Sequence, residues 1–210
     1  MLVAFSGSIL NSIYILKGLP GSSGTQLTTP RLILGMVQEV TSLLLLAYVL
    51  SRTARRLRNI GLHWSLRDAV LGIPIAVASY LSYAITYYVI YYIDYSIYGA
   101  PIHQIPNAQI FGHMGYAAIP FVLLNPFFEE LIVRAYLMTE LIDLTRSPAL
   151  AVAASVVLQF SYHLYYGWAT ALSLAFQFLI FALFFTTSRR ALPIITAHAI
   201  FDLYALLRLW

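Results

Sequence analysis

Cysteine is absent from the 210 residues, which removes disulfide staples, thiolate metal sites and cysteine nucleophiles together. Charge is nearly as scarce. Asp, Glu, Lys and Arg make up 10% of the chain, against roughly 25% in a soluble domain. With 60% hydrophobic residues and a mean hydropathy of +0.79, the chain lacks the charge to clothe a water-soluble surface. Internal repeats, low-complexity tracts and long linkers are also missing, so a single domain over residues 1–210 is expected. The net charge of +4 and pI near 9.3 come from basic residues that fall between apolar segments and form no long stripe. No nucleic-acid partner is expected from that pattern. The first residues lack a positive n-region and a small-residue cleavage site, so a signal peptide is not expected.

What remains is a series of apolar segments, at 2–16, 31–51, 69–93, 114–145, 148–166, 168–188 and 191–209. A helix needs about 20 residues to cross the roughly 30 Å hydrocarbon layer. The segments therefore predict an all-α, polytopic transmembrane bundle in a lipid bilayer, with about six to seven spanning helices. The first segment is the shortest, and either spans or lies in the interface. In the long fourth segment, Asn125-Pro126 predicts a break, with the proline opening the second half. Glu129 and Glu130 then sit in the first turn of a half-helix, where the helix dipole favours negative charge. If the segments cross in turn, Arg52, Arg55, Arg56, Arg58, Arg67, Arg146, Arg189 and Arg190 fall on one side, and only Lys17, Arg31 and Arg208 on the other. The positive-inside rule makes the first set cytoplasmic, and the 97–113 loop external.

Adjacent carboxylates at bilayer depth cost at least about 2.5 kcal/mol each on insertion scales, so they mark a functional site by default. Glu130 and Arg134 are four apart and share a helical face, where they can neutralise one another. Glu129 points about 100° away and is left to act as a general base. The structural alternative is that both glutamates serve Arg134 or helix amides. His163 lies in the aromatic stretch Gln159-Phe160-Ser161-Tyr162-His163. His198 and Asp202, four apart on the last segment, project from one face and can jointly hold a carbonyl or a water. Glu39, beside Gln38, reads as an interhelical hydrogen-bond partner, with a substrate contact as the alternative. His63, His103 and His113 read as interfacial residues. The 16 tyrosines fit an aromatic belt and cavity lining, with Tyr162 or Tyr165 flanking the site.

Glu129-Glu130-Leu131-Ile132-Val133-Arg134 followed by His198-Ala199-Ile200-Phe201-Asp202 resembles the hallmarks of the CAAX prenyl endopeptidase and bacteriocin-processing (CPBP, or Abi) family of intramembrane proteases. These are Glu-Glu-x-x-x-Arg, Phe-x-x-x-His and His-x-x-x-Asn/Asp. The second motif departs: Gln159 stands four residues before His163, where the family has phenylalanine. The resemblance covers about 115–206, with Ile60-Gly61-Leu62 a weaker echo. It implies an endopeptidase acting on a membrane-associated peptide or lipidated protein, prenylated C-terminal peptides being the family precedent. It further implies that Glu129 and His163 activate a water, while His198 with Asp202 stabilises the oxyanion and Glu130 with Arg134 supports the site. An ionised Asp202 donates nothing, so it acts by orienting or charging His198.

No cofactor is favoured. Zinc on Glu129, His163 and His198 is the alternative, since two histidines and a carboxylate form a set that catalytic zinc accepts, although there is no His-Glu-x-x-His. The rival to an enzyme is a non-catalytic protein of the same fold, an immunity factor or a ligand or ion binder. The cavity is expected to open toward the basic, cytoplasmic side. Depth poses a puzzle: at 1.5 Å per residue Glu130 lies about 24 Å from Arg146, and His198 only about 12 Å from Arg190.

Overall fold

The computed structural model describes residues 2–17, 28–99 and 115–209. His103, His113 and most of the 97–113 loop lie outside them. Among the described residues there is no strand; the chain runs α1 (Leu2–Leu16), α2 (Thr29–Arg52), a short 3-10 turn (Leu57–Ile60), α3 (Leu66–Tyr98) and α4 (Ala118–Glu129). A π-helix (Glu130–Met138) leads directly into α5 (Thr139–Thr145). Then come α6 (Pro148–His163) with a 3-10 turn (Leu164–Tyr166), α7 (Trp168–Ser188) and α8 (Leu192–Leu209).

Local chemistry sets the ends. Pro30 and Pro148 open α2 and α6, where a missing N–H is harmless, and the Ser147 side chain caps α6 by accepting from the Leu150 N–H at 3.2 Å. Among the described residues, four helical stretches are long and apolar enough to cross a membrane: Thr29–Arg52, Leu66–Tyr98, Pro148–Tyr166 and Trp168–Ser188. α1 has 15 residues, fewer than the roughly 20 a straight crossing takes. Ile33, Leu34, Val37, Leu44 and Leu45 on α2 are exposed, a continuous apolar face of the kind that meets lipid rather than water.

α7 is the central helix, with Phe178, Phe181 and Phe185 buried and α3 and α6 packed against it. α3 also packs on α8, α4 on α2 and α8, and α1 on α6. The α3–α8 approach requires glycine: a Cβ at Gly72 would lie 2.7 Å from Thr196 Cβ and 2.8 Å from the Pro193 carbonyl oxygen.

The Arg-bearing loops gather at one end of the bundle. Arg55 pairs with Glu140 at 2.5 Å and Arg190 with Asp68 at 2.9 Å. The Gly61 carbonyl accepts from the Ala191 N–H at 2.9 Å. Gly61 has φ +94°, and a Cβ there would stand 2.5 Å from the Arg189 carbonyl oxygen, so glycine is needed on both counts.

The expected break at Asn125-Pro126 is not made. Pro126 lies inside α4, and Glu130, which follows it, keeps right-handed helical φ/ψ. Proline forfeits one backbone hydrogen bond there, but packing against α2 and α8 holds the helix together. The glutamates therefore stand where an α-helix passes into a π-helix, and the N-terminal dipole is not what accommodates them.

The depth puzzle also resolves. Arg189 Nη1 reaches Thr139 Oγ1 at 3.5 Å, so the basic end is level with Thr139 rather than with Arg146. Nine residues separate Thr139 from Glu130 and nine separate Arg189 from His198, so the two side chains come to similar depth.

Candidate active site

Glu129, Glu130 and Arg134 are supplied by the α4–π junction, His163 by the end of α6, and His198 with Asp202 by α8. Glu129, Glu130, Arg134, His163 and His198 are all buried. Glu130 Oε1 accepts from Arg134 Nη1 at 3.2 Å and from His198 Nδ1 at 2.8 Å. The expected Glu130–Arg134 pair is thus present, and the same oxygen also holds His198. Arg134 further lies with Cζ 4.8 Å from the centre of the Phe178 ring, a cation–π contact inside the bundle.

Gln159, which breaks the sequence motif, is the hub of the site. Its Oε1 accepts from Arg134 Nη1 at 3.0 Å, and its Nε2 donates to Glu129 Oε2 at 3.0 Å. Its backbone carbonyl accepts from His163 Nδ1 at 2.8 Å. A carbonyl oxygen only accepts, so His163 carries its proton on Nδ1 and keeps the Nε2 lone pair free. Tyr162 OH donates to Glu129 Oε2 at 2.6 Å and is also in contact with Gln159 Oε1. One hydroxyl proton serves one of these acceptors at a time.

The aromatic support of His163 comes from other positions than the family's phenylalanine. Its ring centre lies 4.6 Å from that of Tyr162 and 5.4 Å from that of Phe178. Asp202 Oδ1 is 3.6 Å from His198 Nε2, beyond hydrogen-bonding distance, while its Oδ2 accepts from Asn125 Nδ2 at 3.2 Å.

These groups face one cavity of about 540 Å³, lined among others by Glu129, His163, His198 and Asp202. Tyr162 and Tyr165 line it as expected. Glu130 and Arg134 stand behind it. The cavity continues past Tyr166 and Thr170, where α6 ends and α7 begins, to Leu206 near the end of α8. That is the half of the bundle away from the Arg-bearing loops, so the expectation of a cavity facing the basic end is corrected. The polar motifs start near mid-helix and the open space lies beyond them, where α6 and α7 are joined by a turn.

Two further departures concern residues outside the motifs. The α2 hydrogen bond to a neighbouring helix is made by Gln38, whose Nε2 donates to the Ala4 carbonyl at 2.8 Å. Glu39 is instead buried with Oε2 unpartnered, and lines the cavity. Asn125, which in sequence reads only as half of a proline break, supplies the donor to Asp202. As for metal, Glu129, His163 and His198 share the cavity and are chemically suited to zinc. Among the described residues, however, no three His, Asp or Glu side chains converge closely enough to share an ion.

Buried carboxylates and imidazoles around a cavity in an apolar helical bundle define a membrane protein built for polar chemistry below the surface. One stretch of the chain, residues 112–204, matches the family described as type II CAAX prenyl endopeptidase Rce1-like. It holds Glu129, Glu130, Arg134, His163, His198 and Asp202, and its bounds agree with the 115–206 expected from the motifs. Comparison with curated proteins and with solved structures gives no significant match.

Proposed function

We propose that the protein is an intramembrane endopeptidase of the CAAX prenyl protease type, cleaving a membrane-associated peptide with a water activated by Glu129 and His163. One observation carries this: the two acid/base candidates come from different helices of the matched region to the same cavity, each held by Gln159. Tyr162 and Gln159 occupy Oε2 of Glu129, which leaves Oε1 to take a proton from water. The free Nε2 of His163 accepts a hydrogen bond from the water's other hydrogen, which turns a lone pair of the water oxygen toward the substrate carbonyl carbon. As the water oxygen bonds to the carbonyl carbon, the C–N bond breaks and the proton taken by Glu129 passes to the departing amine.

The developing oxyanion needs donors, each typically contributing about 2.7–4 kcal/mol. His198 gives its Nδ1–H to Glu130, so it serves the oxyanion through Nε2–H, with Glu130 and Asp202 on either side offsetting the imidazolium charge. Glu130 and Arg134 position His198 and Gln159 and touch no substrate. Zinc, were it bound by Glu129, His163 and His198, would supply a Lewis acid at the same place; no step above needs it. The Arg-rich end is read as cytoplasmic, which puts the cavity in the opposite half of the bilayer.

The test is Glu129→Gln, assayed with a panel of lipidated and unlipidated peptides in proteoliposomes. Loss of the base should lower turnover by about 10²- to 10⁴-fold while the thermal transition stays in place. More than about a tenth of wild-type activity would remove Glu129 from the mechanism.

A further inference from the structure

Glu39 belongs to α2, outside the matched family region of residues 112–204, and no step above uses it. It is only 5% exposed, its Oε2 has no hydrogen-bond partner, and it lines the same cavity as Glu129 and His163. It is near enough to Glu129, Asp202 and His198 to interact with them electrostatically. A buried carboxylate oxygen without a donor is costly to keep, and an intramembrane acid marks a functional contact whose partner has to be found. The neighbouring helices do not provide one. Gln38, next to it, has turned away to bind α1.

The composition of the wall says what kind of partner is missing. Glu39, Glu129 and Asp202 contribute three carboxylates to the lining, and among the described lining residues there is no Lys or Arg. A cationic side chain would meet an acid without a hydrogen-bond donor, beside Tyr80, Tyr83 and Phe121 in the lining, residue types whose ring faces attract ammonium and guanidinium groups. The stem of a lysine or arginine also suits an apolar cavity that is polar at isolated points.

Building on the endopeptidase reading, we propose that Glu39 is a specificity-determining residue that receives a lysine or arginine side chain of the substrate near the bond to be cut. The preferred substrates are then membrane-associated peptides with a basic side chain beside the scissile bond.

Binding and cleavage can be read separately. The probe is a fluorescent, membrane-anchored peptide with a single lysine, compared with the same peptide carrying norleucine, which keeps the stem and removes the charge. In the Glu129→Gln background, in proteoliposomes, the lysine peptide should bind about tenfold or more tightly than the norleucine peptide, as expected for a charge-assisted hydrogen bond out of bulk water. Adding Glu39→Gln should abolish that ratio and leave norleucine binding unchanged. With Glu129 intact, the same ratio should appear in kcat/KM, and Glu39→Lys should shift preference to a glutamate-containing peptide. Equal binding of the two peptides, or a ratio that survives Glu39→Gln, overturns the proposal even if cleavage is robust. Selective binding lost on Glu39→Gln with no cleavage of any peptide upholds it and overturns the endopeptidase reading instead. Glu39→Leu guards against misfolding: a residue retained for substrate gives a variant at least as thermostable as wild type, whereas a structural acid gives a less stable one and overturns the proposal.

Discussion

Replacing Gln159 by leucine removes the group on which both halves of the site converge. Gln159 is fully buried, and its amide makes one hydrogen bond with Arg134 and one with Glu129, each at 3.0 Å. Hydrogen bonds to charged groups contribute about 1.5–3 kcal/mol apiece, so losing both costs about 3–6 kcal/mol. Arg134 aggravates this, because its Nε and Nη2 are already without partners and Nη1 would keep Glu130 alone. For a chain of this size, 1 kcal/mol corresponds to about 2–4 °C, so Gln159→Leu should melt at least about 6 °C below wild type in the same detergent. Gln159→Glu separates the two roles. It retains an acceptor for Arg134 but sets a second carboxylate against Glu129, so stability should be largely kept while peptidase activity falls. The reasoning is refuted if Gln159→Leu melts within 1–2 °C of wild type, or if Gln159→Glu is the less stable of the two.

Glu130→Gln should lower stability by about 3–5 kcal/mol, the typical cost of removing one partner of a buried pair, and should also lose activity because His198 loses its carboxylate. A variant as thermostable as wild type would refute the pairing. Exhaustive chelation should leave peptidase activity intact in a preparation whose metal content is followed by mass spectrometry; stoichiometric zinc, with loss restored by adding zinc, would move water activation to the metal. The cysteine-free sequence permits a clean topology measurement with Thr170→Cys, at the cavity, and Arg58→Cys, on the basic loops. A membrane-impermeant thiol reagent should label them from opposite sides of oriented vesicles, and labelling from the same side would contradict the placement of the cavity.

The helices were legible because apolar segments are punctuated by Arg, Pro and Gly. α1 and α7 have the expected limits, and α3 outruns its expected end at residue 93 to reach Tyr98, since Asp94 interrupts hydropathy without interrupting helix geometry. The Glu130–Arg134 pair followed from spacing alone. Other features required distant segments to be brought together. Pro126 signals a break in isolation, and only packing from α2 and α8 keeps the helix whole. Gln159 reads as a missing aromatic until Arg134 and Glu129 are seen on either side of it. Glu39 has no sequence neighbour that explains it, because the charged groups that act on it, Glu129, His198 and Asp202, are 90 or more residues away in the chain. His163 was recognisable as a site residue, but its tautomer depends on a backbone carbonyl that no side-chain pattern reveals.

The π-wound segment Glu130–Met138 makes the site depend on arithmetic as well as chemistry. A π-turn holds one more residue than an α-turn, and each residue added to or taken from an α-helix rotates everything beyond it by about 100°. Deleting one residue after Arg134, between Ala135 and Met138, would keep every charged letter of the motif and let the segment rewind toward an α-helix. Thr139 and α5 are anchored to the basic loops through Arg189 and Arg55, so the rotation would fall on the other side and swing Glu130 away from His198. A gap of one position that an exposed connecting loop would absorb is here equivalent to losing a side chain.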